Sequence, residues 1–407
     1  MTTEPKTRRP ANTAFKQQRL KAWQPILTPK TVLPAFIVIG ILFAPLGGLF
    51  LWASDSVAEI VIDYTKCSGA GPTFVPIPND QYTVNFPGSS GDESAPQYMS
   101  VPGSGSYGNN GVNWVTTRCT IKFNIPDTMK SPIFVYYRLT HFYQNHRRYI
   151  KSMDIKQLGG TYRSAEELKS GGCDPMSTVE ENGETYPIYP CGLIANSIFN
   201  DSFALSLMPA DANTTNLPYN LTDTGIAWKD GFKYGSNPYT NLSAVKPPPN
   251  WAKNFPNGYT NDTPPIDVTK DEHFQVWMRT SGLPNFRKMY AKNEEDDLPM
   301  GTYTIDIDMN YNVSSYGGTK SLVISTVSFM GGRNPFLGIA YVVVGVLCVL
   351  LGLLFTARHL YKPKRLGDHT YLSWNQNAAP NESSGNSVDS MDEAPPSATA
   401  TGASARY

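Results

Sequence analysis

The sequence has no net charge at pH 7: 34 Lys and Arg balance 34 Asp and Glu over 407 residues. Its central segment, residues 54–335, is acidic on balance, with 22 basic and 28 acidic side chains. That removes the general attraction on which nucleic-acid binding rests. Histidine is scarce, at five residues. His141 and His146 share no helix face and have no Cys or carboxylate at ligand spacing, so no zinc site is expected. No G-x-S-x-G elbow is present to support a Ser–His–Asp triad. Residues 103–108, GSGSYG, have dinucleotide-loop spacing, but no strand of useful length is read before them, and the NNGVNW that follows does not start a helix. GGTKS, residues 317–321, lacks the Gly–Lys adjacency of a phosphate loop. Asp306, Asp308 and Asn310 open like a calcium loop, but Tyr311 stands where glycine is required and Gly317 where glutamate is. The expectation is therefore no catalytic residue, no metal ligand and no cofactor-binding residue.

What the chain does have is two apolar runs, VLPAFIVIGILFAPLGGLFLWA at 32–53 and FLGIAYVVVGVLCVLLGLLFT at 336–356. Neither contains a charge, and each matches the ~20 residues a helix needs to cross a bilayer core. Lys6, Arg8, Arg9, Lys16, Arg19, Lys21 and Lys30 precede the first run; Arg358, Lys362, Lys364 and Arg365 follow the second. Positive flanks stay in the cytosol. The expected order is a cytosolic segment 1–31, a span 32–53 read as an uncleaved signal anchor, a lumenal or extracellular domain 54–335, a span 336–357, and a cytosolic tail 358–407 that is polar and disordered from about 376.

Cys67, Cys119, Cys173 and Cys191 all fall in the central segment, while Cys348 lies in the second run. Four cysteines in an oxidising compartment form two disulfides, with three connectivities open. Sequential pairing, Cys67–Cys119 and Cys173–Cys191, is the expected one. N-x-S/T sequons begin at Asn200, Asn213, Asn220, Asn241, Asn261 and Asn312 and mark candidate glycosylation sites. Asn381 also begins one, on the cytosolic side of this topology.

Within the central segment, TYTIDIDMNYNV at 302–313 and VTTRCTIKFNI at 115–125 alternate apolar and polar residues as half-buried strands do. PIFVYYRL, FQVWM and SLVISTVSF read as further strands. Ser164 and Glu167 fit a capping box for a short helix that Gly171–Gly172 ends. Residues 79–111 are rich in Gly, Ser and Pro and read as long loops. The fold class is a membrane protein with two transmembrane helices and a mainly antiparallel β domain, sandwich-like, containing short helices.

Several blocks together resemble one family: FKQQRLKAWQPILTP before the first span, FYQNHRRYIKS at 142–152, YPCGLIANSIFNDSF at 189–203, GIAWKD at 225–230, VWMRTSGLPNFRKMY at 276–290, and GGTKSLVISTVSFMGGRNPFLGIAY at 317–341. In order and topology they resemble the cell division control protein 50 family, also called ligand-effect modulator 3. The resemblance runs from about residue 15 to 361. It implies a non-catalytic accessory (β) subunit, paired one to one with a type IV P-type ATPase that flips phospholipid. ATP and Mg would be bound by the partner alone, in keeping with the lack of a D-K-T-G motif here. N-linked glycans would decorate the lumenal domain. The subunit would support the partner's folding, exit from the endoplasmic reticulum and lipid transport in the secretory pathway, from endoplasmic reticulum through Golgi and endosome to plasma membrane. Phosphatidylserine is the lipid expected first, then phosphatidylcholine or phosphatidylethanolamine. Two other classes stand beside this one, a membrane-anchored lumenal hydrolase and a cell-surface adhesion or receptor protein. Three candidate contact sets follow. Lys16, Arg19 and Lys21 sit beside Phe15 and Trp23, ready to meet the partner or anionic headgroups. Arg147 and Arg148 read as structural or partner-contacting. Gly338, Gly345 and Gly352 form a slowly drifting stripe that lets another helix approach closely.

Overall fold

The computed structural model describes residues 11–21, 28–88, 94–105, 114–210, 217–228 and 231–363. Trp23, Asn213, Asn381 and the tail from 376 lie outside the described residues. The chain divides into two compact units, Met1–Val38 with Cys348–Tyr407, and Ile39–Leu347.

The apolar runs form helices Pro29–Asp55 and Phe336–Tyr361, a little longer than the runs themselves. Only 11 % and 17 % of their most apolar stretches are buried. A core helix of a water-soluble domain would be covered; these expose Ile41, Leu42, Leu353 and Leu354, the pattern of helices solvated by lipid. In the larger unit the glycines let the two helices touch. A Cβ on Gly345 would lie 2.7 Å from the Ala44 nitrogen, and one on Gly338 would lie 2.7 Å from Leu51 Cγ. Gly47 reciprocates, its Cβ position 2.7 Å from Val342. In the smaller unit Gly352 faces Ile37 at 3.1 Å. The stripe expected to receive a partner's helix is thus filled by the chain's own first helix. The reason is that the other apolar helix of the same chain is always at hand, and glycine on one side of each contact is enough for close approach.

The β domain lies in the larger unit as two large antiparallel sheets and a separate two-stranded one, Thr178–Glu181 with Glu184–Pro187. One large sheet has the order Phe286–Asn293, Ile133–Leu139, Lys320–Ser325, Glu59–Asp63, Tyr82–Asn85. The other runs Tyr219–Asn220, Ser206–Pro209, Gly301–Met309, Trp114–Ile125, Gln97–Gly105, Val75–Pro76, with Ser202–Phe203 also paired to Gly301–Met309. Ile60, Val135, Leu139 and Ile324 from the first sheet join Ile121, Phe123, Ile305 and Ile307 from the second in one buried core. Their period of two is what the alternating sequences anticipate. Val115 departs from it. It falls on the same side of the alternation as Cys119 and Ile121 but is 87 % exposed, because only the part of its strand from Cys119 onward faces the core.

Both expected disulfides are present. Cys67, just beyond the Glu59–Asp63 strand of the first sheet, bonds Cys119 on the second, so this bridge ties sheet to sheet. Cys173–Cys191 closes a loop of sequence separation 18 around a small satellite core of Leu168, Cys173, Ile188 and Cys191.

Three readings are corrected. FQVWM is not a strand but the end of the helix Glu272–Met278. Asp271 caps it by accepting from the Phe274 N–H at 2.8 Å, and Phe274, Trp277 and Met278 are buried at helical spacing. Residues 79–111 are not all loop, since the strands Tyr82–Asn85 and Gln97–Gly105 lie within them. The second of these runs into GSGSYG, contrary to the reading that no strand precedes it. There Gly103 lets the backbone close on its neighbour, its Cβ position being 2.8 Å from Arg118 Cβ. The capping box is as read: Ser164 Oγ accepts from Glu167 N–H, and Glu167 accepts from Ser164 N–H.

Candidate functional site

The FYQNHRRYIKS block interlocks with the loop after the 272–278 helix. Phe142 N–H donates to Pro284 O at 3.1 Å, and the buried Gln144 accepts from Ser281 N–H at 2.9 Å. Asn145 Nδ2 donates to Gly282 O at 3.0 Å. Further along, Tyr149 OH pairs with Ser197 Oγ at 2.8 Å. Ser152 Oγ donates to Asp174 O and accepts from Leu193 N–H, both at 2.9 Å. Gly192 makes that last junction possible. It sits at φ 103°, and a Cβ there would collide with the Ser152 carbonyl. The block's neutral residues therefore do the joining. Arg147 is exposed. Arg148 is 73 % exposed and reaches only Asp174, at 3.5 Å, a pair that contributes at most about 1 kcal/mol. Of the two roles read for these arginines, the structural one is small.

The most chemically suggestive cluster is closed. Lys320 Nζ lies 2.7 Å from Asp201 Oδ2, which also accepts from Tyr64 OH at 2.9 Å. Asp201 Oδ1 accepts from the N–H groups of Asn310 and Tyr311 at 2.5 and 2.6 Å. The Lys320 ammonium also donates to Tyr311 O at 2.8 Å. The two ionic side chains are 3 % and 0 % exposed, so no substrate reaches them. Burial and the Asp201 carboxylate hold the Tyr64 hydroxyl well above its ordinary value, which leaves it a donor. The cluster knits the two sheets and performs no chemistry. Lys288 is a second buried cation. Its ammonium donates to the carbonyls of Val276, Trp277 and Arg279 at the end of the 272–278 helix, the place where a cation suits a helix. Burial, with Arg279 nearby, pushes it down to about 7. Among the described residues no three His, Cys, Asp or Glu side chains are grouped to hold a metal.

The surface, by contrast, is open and apolar around Trp228, which is 72 % exposed. Glu272 fixes its loop by accepting from the N–H groups of Gly225 and Ala227, both at 2.8 Å. The Arg279 guanidinium stacks on the indole at 4.2 Å. On one side lies a groove of about 510 Å³ lined by Met153, Ile155, Leu158, Phe232 and Tyr234. On the other, Gly282 and Leu283 line a hollow of about 440 Å³ that Trp228 and Arg279 also border. Neither residue was singled out from the sequence, although both lie in the quoted blocks GIAWKD and VWMRTSGLPNFRKMY. A tryptophan among turn-forming residues, with no apolar period to bury it, was the available signal.

The remaining candidates are scattered. Phe15 is 75 % exposed, and Lys16, Arg19 and Lys21 are exposed on the same short segment. Asn220, Asn241, Asn261 and Asn312 are exposed. Asn200 is half-buried, its Oδ1 shut from solvent.

Comparison with known proteins now adds to this geometry. Residues 50–365 match the LEM3 (ligand-effect modulator 3) / CDC50 family. The chain is 44 % identical over 378 residues to the phospholipid-transporting ATPase accessory subunit CRF1 of Saccharomyces cerevisiae, covering 92 % of this chain and 91 % of that one. It is 39 % identical to the accessory subunit CDC50 of Chaetomium thermophilum, over 91 % of this chain and 92 % of that one. It is 40 % identical to cell cycle control protein 50A of Mus musculus, over 88 % and 91 %. The family model takes in the β domain and the second apolar helix, and the relatives cover about nine-tenths of the chain; on that evidence the chain belongs to the CDC50/LEM3 family.

Proposed function

We propose that this protein is the non-catalytic accessory subunit of a phospholipid-transporting P-type ATPase. The observation that carries the reading is coverage: relatives named as accessory subunits of such ATPases align over about nine-tenths of both chains. The β domain supports it, since its Lys320–Asp201–Tyr64 cluster is sealed and spent on structure. The partner supplies the ATP chemistry and the lipid path, in a one-to-one complex. Both termini face the cytosol and the β domain faces the lumen, where the exposed sequons Asn220, Asn241, Asn261 and Asn312 receive glycans. The subunit carries its ATPase out of the endoplasmic reticulum and keeps it active, with phosphatidylserine the lipid moved inward. Within the β domain, the Trp228–Arg279 surface is the contact with the ATPase. A rigid stacked aromatic and arginine flanked by apolar hollows is what interface anchors are made of.

Affinity purification from native membranes tests this. A polytopic P-type ATPase should co-purify with the chain, and Trp228→Ala should reduce its recovery at least tenfold while both disulfides persist. Recovery of the chain without any ATPase would refute the role. Full recovery with Trp228→Ala would refute the surface alone.

A further inference from the structure

The smaller unit holds a groove with no assigned role. It has a volume of about 460 Å³ and is lined by Lys30, Leu33, Ile37 and Val38 of the first helix and Thr356 and His359 of the second. Its surface is almost wholly apolar. Lys30, Leu33 and Ile37 follow one another along one helix face, as do Thr356 and His359. At 1.5 Å per residue, Lys30 stands roughly 10 Å beyond Ile37 along the axis. The apolar runs begin at residue 32 and end at 356, so Lys30 and His359 lie just outside both. The groove is therefore hydrocarbon-lined along its length and polar at one end, and that end lies at headgroup depth.

Among the described residues the charge around it has one sign. The described residues of this unit include Lys16, Arg19, Lys21, Lys30, Arg358 and Lys362, and no Asp or Glu among them. Among the described residues, Lys30 is thus a cation at the end of an apolar slot with no carboxylate of this unit beside it. The described cations at its headgroup end, set against an apolar length, favour an anionic lipid over an uncharged apolar helix as the occupant.

We propose that this groove seats one anionic glycerophospholipid, its acyl chain against Leu33, Ile37 and Val38 and its phosphate held by Lys30 and His359. The proposal rests on reading the two helices as membrane spans with these ends cytosolic, on the side where anionic lipids concentrate and where basic pockets between spans take their headgroups. Carbonate extraction of membranes tests that reading separately, so failure of the seat and failure of the spans give different results.

Native mass spectrometry of the full chain in detergent tests the seat, with phosphatidylserine and phosphatidylcholine of identical acyl chains as probes. One phosphatidylserine should be retained at least about fivefold better than phosphatidylcholine, the factor expected for one basic side chain at a membrane surface. Lys30→Glu should bring the two lipids level, and Lys30→Gln should do so in part. Leu33→Trp keeps every charge and fills the floor, so it should lose both lipids. Glycerophosphoserine, which has the headgroup and no chains, should not compete. Intact Cys67–Cys119 and Cys173–Cys191 bridges show that each variant has folded. Equal retention of the two lipids by the unaltered chain would overturn the proposal. So would phosphatidylserine held by Leu33→Trp, the mark of a diffuse basic surface, or full competition by glycerophosphoserine, the mark of a phosphate site without a lipid seat.

Discussion

Asp201 and Lys320 are an ion pair removed from water, and such pairs respond unequally to losing one member or both. Asp201→Asn keeps the shape, and keeps the Asn200 sequon, but leaves the Lys320 ammonium buried without a counter-charge. The expected loss is about 3–5 kcal/mol, seen as a lower melting temperature of the purified chain and weaker hydrogen-exchange protection at both sheets. Replacing both residues with apolar ones of similar size should cost far less. Equal losses for the single and double variants would show that the pair is not electrostatically coupled. Lys288 provides a pH signature. Its folded value of about 7 lies below the ~10.4 of an unfolded lysine. The unfolded chain therefore binds the extra proton between those values, and stability rises with pH across that window. Melting temperature should climb between about pH 7 and 9. Lys288→Met should flatten that slope, whatever it does to the absolute level. An unchanged slope would place the titration elsewhere. Neither lysine could be assigned from sequence. Lys320 sits in GGTKS, which reads as a turn between strands, and its partner lies 119 residues away. Only the tertiary fold brings them together.

Elements defined by their own local chemistry were legible; those defined by distant contacts were not. The capping box at Ser164 is self-contained, and the Cys119 strand shows its period of two over several residues. FQVWM is only five residues long, too short for its period to show, and its helix depends on the Asp271 cap and on Lys288 from another element. The glycine stripe was visible in the sequence, but its recipient was not. Spacing tells that a helix comes close and not which one. Gly345→Leu should push the two apolar helices apart, since its first side-chain atom would already collide with Ala44. Cross-linking of Phe50→Cys with Tyr341→Cys by a short bifunctional thiol reagent, at positions whose rings meet at 5.3 Å, should proceed in the otherwise unaltered chain and fall at least severalfold with Gly345→Leu. Undiminished cross-linking would mean that the glycines do not hold the pair. The disulfides of the β domain should form in both cases, because their loops are closed within that domain.

The β domain and the two apolar helices give the chain several surfaces open to a partner, and among the described residues its one fully sealed ion pair, Lys320–Asp201, is out of reach of any substrate. Its buried acid–base residues are committed to structure, and its exposed singularities are an aromatic–arginine stack, basic helix ends and apolar helix faces. Contacts on one chain reinforce each other, since after the first forms the others are intramolecular. On the function proposed above, such reinforcement would let a subunit with no chemistry of its own govern its ATPase's folding, export and activity. The direct measurement is inward transport of labelled phosphatidylserine in cells with and without this chain, with the location of the ATPase followed in the same cells. The account predicts that deletion leaves the ATPase in the endoplasmic reticulum and lowers transport to background, and that re-expression restores both. An ATPase that exports normally and moves lipid at full rate without this chain would contradict it.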